Sequence, residues 1–318
     1  MTLSYHNAIR SEDGYILSVD NLVIDFSFSS SQTMDSLSAL LEHMPIKYAV
    51  QVTYWFSGKI GTFKHQFKIQ MQDGTSFWLG CILNSRRPVN RFRLDFNPNK
   101  TAQHRALQDL LSFLILHTRL HRRTVKRFDL AVDIPVARND VFLVKDNRAY
   151  QERRHGEELT QYLGAKSSTV GRCKLYNKKI EAKLDYPLTR LELTLNPETP
   201  YEDIRFPVVY YIANMQTSLD ELIRITDTER FIIGALLQGY GAVTDLGRKT
   251  RAKITQLLES YVKEVQISKQ DYEGVLNQIR GYLTGQALSE ATNEDQPRNV
   301  PAWVQEAEQA EQEELPFT

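Results

Sequence analysis

The chain is poor in cysteine, in long apolar runs and in the short signatures of common metal and nucleotide sites. Cys81 and Cys173 are its two cysteines, far apart in sequence. That predicts no disulfide framework, no cysteine-based zinc site and a reducing, cytoplasmic setting. No apolar run approaches the roughly 18 residues a membrane helix needs, and the longest candidate, 110–116, is interrupted by Ser112. Met1-Thr-Leu-Ser-Tyr-His lacks the basic-then-apolar layout of a secretory leader, so no membrane partner is expected. Gly234, Gly239 and Gly241 are followed by no Lys-Ser/Thr at the spacing of a phosphate loop, and no Ser-His-Asp arrangement stands out. His117 and His121, four apart on a predicted helix, have no Glu in register to complete a zinc site.

The formal net charge of zero hides an asymmetry. From Gln286 to Thr318 there are eight acids and one base, Arg298, so the first 285 residues carry a balance of +7. The bases also cluster: Arg122-Arg123 with Lys126-Arg127, Arg153-Arg154, Lys178-Lys179, and Arg248-Lys249 with Arg251 and Lys253. Such clusters suit a phosphate-binding surface or a solvated basic face.

Strand-like segments fall at 15–28, 47–56, 62–72, 76–83, 91–96, 127–134, 171–178 and 189–195. A helix ended by Pro45 is expected over 34–43, and apolar spacing near 3.6 predicts another over 101–121. The stretch 136–169 is polar and reads as a loop, a short strand and basic turns. From about 205 to 284 the pattern is helical, including 218–238 and 244–266, and beyond Gly285 few apolar residues remain. The expectation is an α+β chain: a mainly antiparallel sheet domain over 1–205, a helical domain over 206–285 and a disordered acidic tail over 286–318.

Side chains alternate across a strand. In four strands one face is apolar: Phe92, Leu94 and Phe96; Phe128, Leu130, Val132 and Ile134; Cys173 and Leu175; Leu191, Leu193 and Leu195. The opposite faces collect Asp95, Asp129, Asp133, Glu192 and Tyr176, with Arg172, Lys174 and Arg190. Carboxylates at that density repel one another unless cations lie among them. Two readings follow: a solvated face of cross-strand ion pairs, or a Mg²⁺ or Mn²⁺ site beside a tyrosine able to attack phosphorus.

FNPNK (96–100), RFDLAVD (127–133), LYNKKIE (175–181) and RLELTL (190–195), in this order, resemble the Rep_trans family of plasmid replication initiators, which start rolling-circle replication in Gram-positive bacteria. The likeness runs from about Leu17 to Tyr261. It implies that Tyr176 is the nucleophile, that Asp129 and Glu192 bind a divalent metal with Asp95, Asp133 and Glu181 as further acidic positions, and that Lys178 and Arg190 contact phosphate. The family often has Glu where this chain has Asp95. Arg172, Lys174 and Lys179 are expected to bind DNA, and the nicked single strand is a further expected ligand. The segment matching origin selection is 236–258, where Arg248, Lys249, Arg251 and Lys253 form a basic helix suited to a major groove or to an exposed surface. The resemblance further implies double-stranded origin DNA as ligand, a homodimer and a replicative helicase as partner. A transfer-origin relaxase uses the same chemistry, and a non-catalytic DNA-binding protein would share the fold. The two-histidine metal motif of the other large nickase class is absent.

The tail ends in acids followed by Leu315, Pro316 and Phe317. That pattern is similar to the docking tail of bacterial single-stranded-DNA-binding proteins and to the sliding-clamp peptide. An apolar tip on an acidic arm is expected either to dock on a replication protein or simply to keep the chain in solution.

Overall fold

The alternation of apolar and polar side chains builds one dominant sheet, and the helices cover its apolar face. The structure is a computed structural model; it describes residues 5, 8–11, 14–28, 32–57, 63–82, 90–156, 158–213 and 225–286. In chain order the elements are β1 (Ile9–Arg10), β2 (Ile16–Phe28), α1 (Gln32–Tyr48), β3 (Gln51–Phe56), β4 (His65–Gln70), β5 (Ser76–Ile82), β6 (Asn90–Phe96), α2 (Pro98–Thr101) and α3 (Arg105–Leu116). They continue with β7 (Arg123–Ile134), β8 (Val141–Leu143), β9 (Tyr150–His155), β10 (Glu158–Leu163), β11 (Val170–Asn177), α4 (Lys178–Ala182), β12 (Thr189–Leu195) and β13 (Val209–Ile212). The last four are α5 (Asp227–Leu237), α6 (Arg248–Tyr261), β14 (Val262–Glu264) and α7 (Lys269–Thr284).

The large sheet runs β3-β4-β5-β6-β2-β7-β12-β11-β10-β9, with β1 also paired to β2. Every pairing in it is antiparallel. The fold is therefore α+β and mainly antiparallel, as the run of strands with few intervening helices implies. Phe92, Leu94, Phe128, Leu130, Val132, Leu175 and Leu193 are buried in a single core with residues of α1, α3 and α7. That helical layer covers the apolar face, which leaves the polar face of the sheet to carry the site.

Several elements depart from the sequence expectation. Helix α1 passes through Pro45 and ends at Tyr48, because Leu37, Leu41 and Met44 are buried in the core and Lys47 and Tyr48 both bond Asp109 on α3. A proline so near the C-terminal end disturbs few helical hydrogen bonds. The helix expected over 101–121 stops at Leu116, so His117 caps it while His121 lies in a separate 3-10 turn. The stretch 136–169 contains the β9–β10 hairpin, which widens the large sheet by two strands.

The region 206–285 does not fold as a helical domain of its own. It opens with β13, which pairs with β8 and β14 in a three-stranded sheet. Helices α5 and α6 pack on that sheet through Ile233, Ile254 and Leu257, but α7 returns to the main core. There Tyr282 meets Phe96 edge-on at 5.4 Å and Tyr272 lies 6.3 Å from Phe128. The two helices are also shorter than expected. Thr226 and Glu229 form a reciprocal capping box that starts α5 at Asp227, and α6 ends where β14 begins to pair with β13. No helix among the described residues is long and apolar enough to cross a membrane. The expectations for Leu315, Pro316 and Phe317 lie outside the described residues.

At Gly171 the sheet leading to the site needs a residue without a side chain. A register shift separates Val170 from Arg172 there, φ is +104°, and a Cβ would collide with the backbone carbonyl oxygen of Arg205. Arg148 donates to both carbonyls, of Gly171 at 2.9 Å and of Arg205 at 2.7 Å, and pins the bulge. Gly171→Ala is expected to cost about 2 kcal/mol of stability, read as a lower midpoint in urea unfolding with an unchanged slope. An unchanged midpoint would show that the bulge relaxes without strain.

Candidate active site

Antiparallel pairing brings the polar faces of β7, β12 and β11 into one patch. On it Arg190 stands directly across from Asp133 on one side and Tyr176 on the other. Glu192 pairs with Lys174, and Thr194 with both Arg172 and Asp129.

Tyr176 is buried, 6% exposed, and lies outside the large hydrophobic cluster behind the sheet. Its hydroxyl donates to Glu192 Oε1 at 2.5 Å. The other oxygen of that carboxylate, Oε2, accepts from Lys174 Nζ at 3.4 Å. The same ammonium lies over the tyrosine ring, 3.8 Å from its centroid, and Lys178 Nζ lies at 5.9 Å. Burial pushes the phenol far above its ordinary pKa, the Glu192 charge pushes it further, and Arg190 pulls the other way. Tyr176 is therefore a neutral phenol at neutral pH, with a proton acceptor already in contact.

Arg190 is the best-held charge in the patch. Its Nε and one terminal nitrogen each donate to Asp133 at 2.6 Å, and the other terminal nitrogen donates to Asp20 at 2.6 Å. The Asp133 side chain is fully buried and also accepts from the Tyr5 hydroxyl at 2.7 Å. Burial opposes the Arg190 charge, but Asp133 and Asp20 outweigh it and raise its pKa well above the ordinary value. Burial likewise raises the Asp20 carboxyl, yet Arg190 and Lys178 override it and hold the group below the usual aspartate range.

The carboxylates have different occupations. Asp133 is committed to Arg190, and Glu181 is paired with Lys178. Burial lowers the Lys178 pKa, and Arg190 lowers it further against the pull of Glu181. Asp95 sits on β6, two strands from β7 with β2 between, and interacts with Asn21, Arg127 and Arg93. Asp129 alone keeps a buried oxygen, Oδ1, with no hydrogen-bond partner. Burial raises its pKa, Arg127 and Thr194 pull it back, and Glu192 and Asp20 push it up again.

Among the described residues, no three His, Cys, Asp or Glu side chains come together as a ligand cluster. Of the acids expected around a metal, Asp133 and Glu181 are engaged in salt bridges and Asp95 stands two strands off, so these three are not gathered with Asp129 and Glu192. What remains, an unpartnered oxygen on Asp129 next to Glu192, fits a Mg²⁺ or Mn²⁺ ion held by one or two carboxylates, with water and phosphate oxygens filling the other positions. It does not fit a preassembled cage.

The remaining sequence-predicted bases are spread over two places. Arg172, Lys174, Lys178 and Lys179 lie on β11 and α4 around the tyrosine, with Lys178 buried and the others half-buried. Arg248, Lys249, Arg251 and Lys253 lie on α6, all exposed. Lys253 pairs with Glu229 at 2.5 Å, and Arg251 turns back to the carbonyls of Thr244 and Leu246. Arg248 and Lys249 thus carry the outward charge of this helix. Sequence reasoning missed Asp20 and Tyr5. Asp20 sits in a register shift between Val19 and Asn21, where simple alternation fails. Tyr5 reaches the site from outside any strand.

These occupations separate two aspartates of one strand. Asp133→Asn leaves Arg190 buried with half its pairing and is expected to cost about 3 kcal/mol. Asp129→Asn removes a carboxyl whose raised pKa makes stability decline as pH rises from 3.8 through the folded value, so at neutral pH it should cost nothing or stabilise. Asp20 has the opposite sign: its lowered pKa adds stability above 3.8 that is lost as pH falls. Thermal unfolding of the two variants at pH 7 checks this, and equal losses would contradict it.

No protein-family model matches the chain, and no curated protein does. Among solved structures the chain is similar to the rolling circle replication initiator protein from Geobacillus stearothermophilus, with 14% identity, a TM-score of 0.35, and coverage of 85% of this chain and 97% of that one.

Proposed function

We propose that the chain is a DNA nickase of the rolling-circle type, a plasmid replication initiator that cuts one strand at its origin with Tyr176 and stays bound to the new 5′ end. The observation that carries this reading is the Tyr176 hydroxyl donating at 2.5 Å to Glu192, near the buried cations Lys178 and Arg190. A solvated face of ion pairs has no need to bury a phenol against a carboxylate.

Glu192 takes the proton of the Tyr176 hydroxyl as the phenolic oxygen attacks phosphorus. The new bond joins phosphorus to the tyrosine oxygen, the bond to the 3′ oxygen breaks, and that oxygen leaves with the electron pair and picks up a proton from water. The products are a 5′-phosphotyrosine ester and a free 3′-OH primer. The ester preserves the energy of the broken phosphodiester for later strand closure. Both oxygens of Glu192 are engaged, with Tyr176 and Lys174, which suits a general base better than a metal ligand. Lys174, about a third exposed, is placed to swing from Glu192 to an incoming phosphate. Arg190, fixed by two aspartates, offers a charge that does not reorganise as the reaction proceeds. Asp129 would hold Mg²⁺ or Mn²⁺, which supplies neutralisation of the nonbridging phosphate oxygens.

In this reading Arg248 and Lys249 on α6 meet duplex origin DNA, and Arg172, Lys174 and Lys179 the nicked strand. A homodimer, a replicative helicase and a replication protein held by Leu315, Pro316 and Phe317 follow from the resemblances of the motifs and the tail.

The test is incubation of supercoiled DNA carrying the cognate origin with the full chain and Mg²⁺. Wild type should give nicked circles and a covalent protein–DNA adduct. Tyr176→Phe should give neither, and Glu192→Gln should cut nicking at least about 100-fold while retaining origin binding in a mobility-shift assay. Nicking that survives in Tyr176→Phe would overturn the proposal.

A further inference from the structure

The polar face that carries Tyr176 continues across two further strands with a different character. By register, Tyr162 on β10 stands across from Lys174 on β11 and from Gln151 on β9. Alternation then puts Arg153, Tyr162, Arg172, Lys174 and Tyr176 on one side of the sheet. The Arg153 and Arg172 guanidinium groups both lie over the Tyr162 ring, each 5.7 Å from its centroid. With Gln151 and Lys166 these three residues line an open cavity of about 380 Å³.

Two guanidinium groups converging on one ring repel each other. Neither has a hydrogen bond or an ion pair among the described residues, whereas the other arginine of the hairpin, Arg154, is neutralised by Glu152. The arrangement gains most from an anion placed between the two cations, next to a planar ligand that uses the ring. A single-stranded nucleic acid supplies both at once: a phosphate for the guanidinium groups and a base for the half-buried Tyr162 face. A duplex keeps its bases stacked on one another and offers no such face.

We propose that the β9–β10 hairpin is a single-strand binding platform, on which Tyr162 stacks a base and Arg153 and Arg172 hold the neighbouring phosphate. Tyr162 and Tyr176 are diagonal neighbours on adjacent strands, roughly 7–8 Å apart at the backbone. A nucleotide held by Tyr162 therefore lies next to the phosphodiester presented to Tyr176. The hairpin would keep the strand unpaired beside the nucleophile and retain it between cutting and rejoining. That the bound strand is the one being cut rests on the proposed nicking by Tyr176; the binding itself does not.

The experiment measures equilibrium binding by fluorescence anisotropy in the full-length Tyr176→Phe chain, which removes cleavage. The probes are a fluorescein-labelled oligothymidylate of about 12 nucleotides and a blunt duplex of similar length. Tyr162→Ala should weaken oligothymidylate binding about tenfold and leave duplex binding unchanged, whereas Tyr162→Phe, which keeps the ring, should bind like the parent. Arg153→Gln should weaken binding and reduce the salt dependence of log K by about 0.7, one phosphate contact. Unchanged oligothymidylate affinity in Tyr162→Ala, or an equal loss for the duplex, would overturn the platform. If Tyr162→Ala is poorly folded by circular dichroism, Tyr162→Phe and Arg153→Gln still decide. Failure of nicking alongside intact Tyr162-dependent binding would remove the nucleophile assignment and leave the platform standing.

Discussion

The site depends on one buried guanidinium. Arg190 sits in the middle of the polar sheet face, and its charge in so little water is sustainable only because Asp133 and Asp20 both pair with it. The two aspartates come from β7 and β2, so the ion-pair network ties together three strands that are neighbours in the sheet. The same cation stands directly across from Tyr176. Strand pairing, side-chain position and site charge are thus set by one interaction, and the hydrophobic layer behind the sheet keeps it from shifting.

Around that fixed cation the acids divide their work. Asp133 and Asp20 hold Arg190, Glu181 holds Lys178, Glu192 accepts from Tyr176, and Asp129 keeps an oxygen unused. Sequence made Asp129, Asp133 and Glu192 look equivalent, because each sits at a polar position of an alternating strand; the structure divides all five acids. Their pKa directions separate them: Asp20 and Glu181 lie below the ordinary carboxyl range, and Asp129 lies above it. The first two are held ionised by bonded cations. Asp129 is disfavoured as an anion by burial and acidic neighbours, which is where an added cation or a proton would settle.

Much of this was legible from the order of residues. Period-two alternation located β6, β7, β11 and β12, their apolar faces, and the shared polar face with Tyr176, because burying one side of a sheet forces that pattern whatever the topology. The order of the strands was not legible. Pairing places β2 between β6 and β7, and so sets Asp95 apart from Asp129, a fact local sequence does not encode. Asp20 was hidden by a bulge, and Tyr5 by lying outside any periodic segment. The β9–β10 hairpin reads in sequence as a loop, a short strand and basic turns because its residues are mostly polar on both faces: it widens the sheet at its edge and buries little. Helix α7 was assigned to a separate domain because an amphipathic stripe shows that a helix packs, not what it packs against.

The central claim is that the Tyr176 oxygen bonds to DNA. The most direct measurement is mass spectrometry of the adduct formed on cognate supercoiled DNA, after digestion with nuclease and trypsin. The account predicts that the tryptic fragment 175–178 carries a nucleotide remnant through its 5′ phosphate on Tyr176. A remnant on any other residue, or an unmodified fragment from a nicked complex, would contradict it.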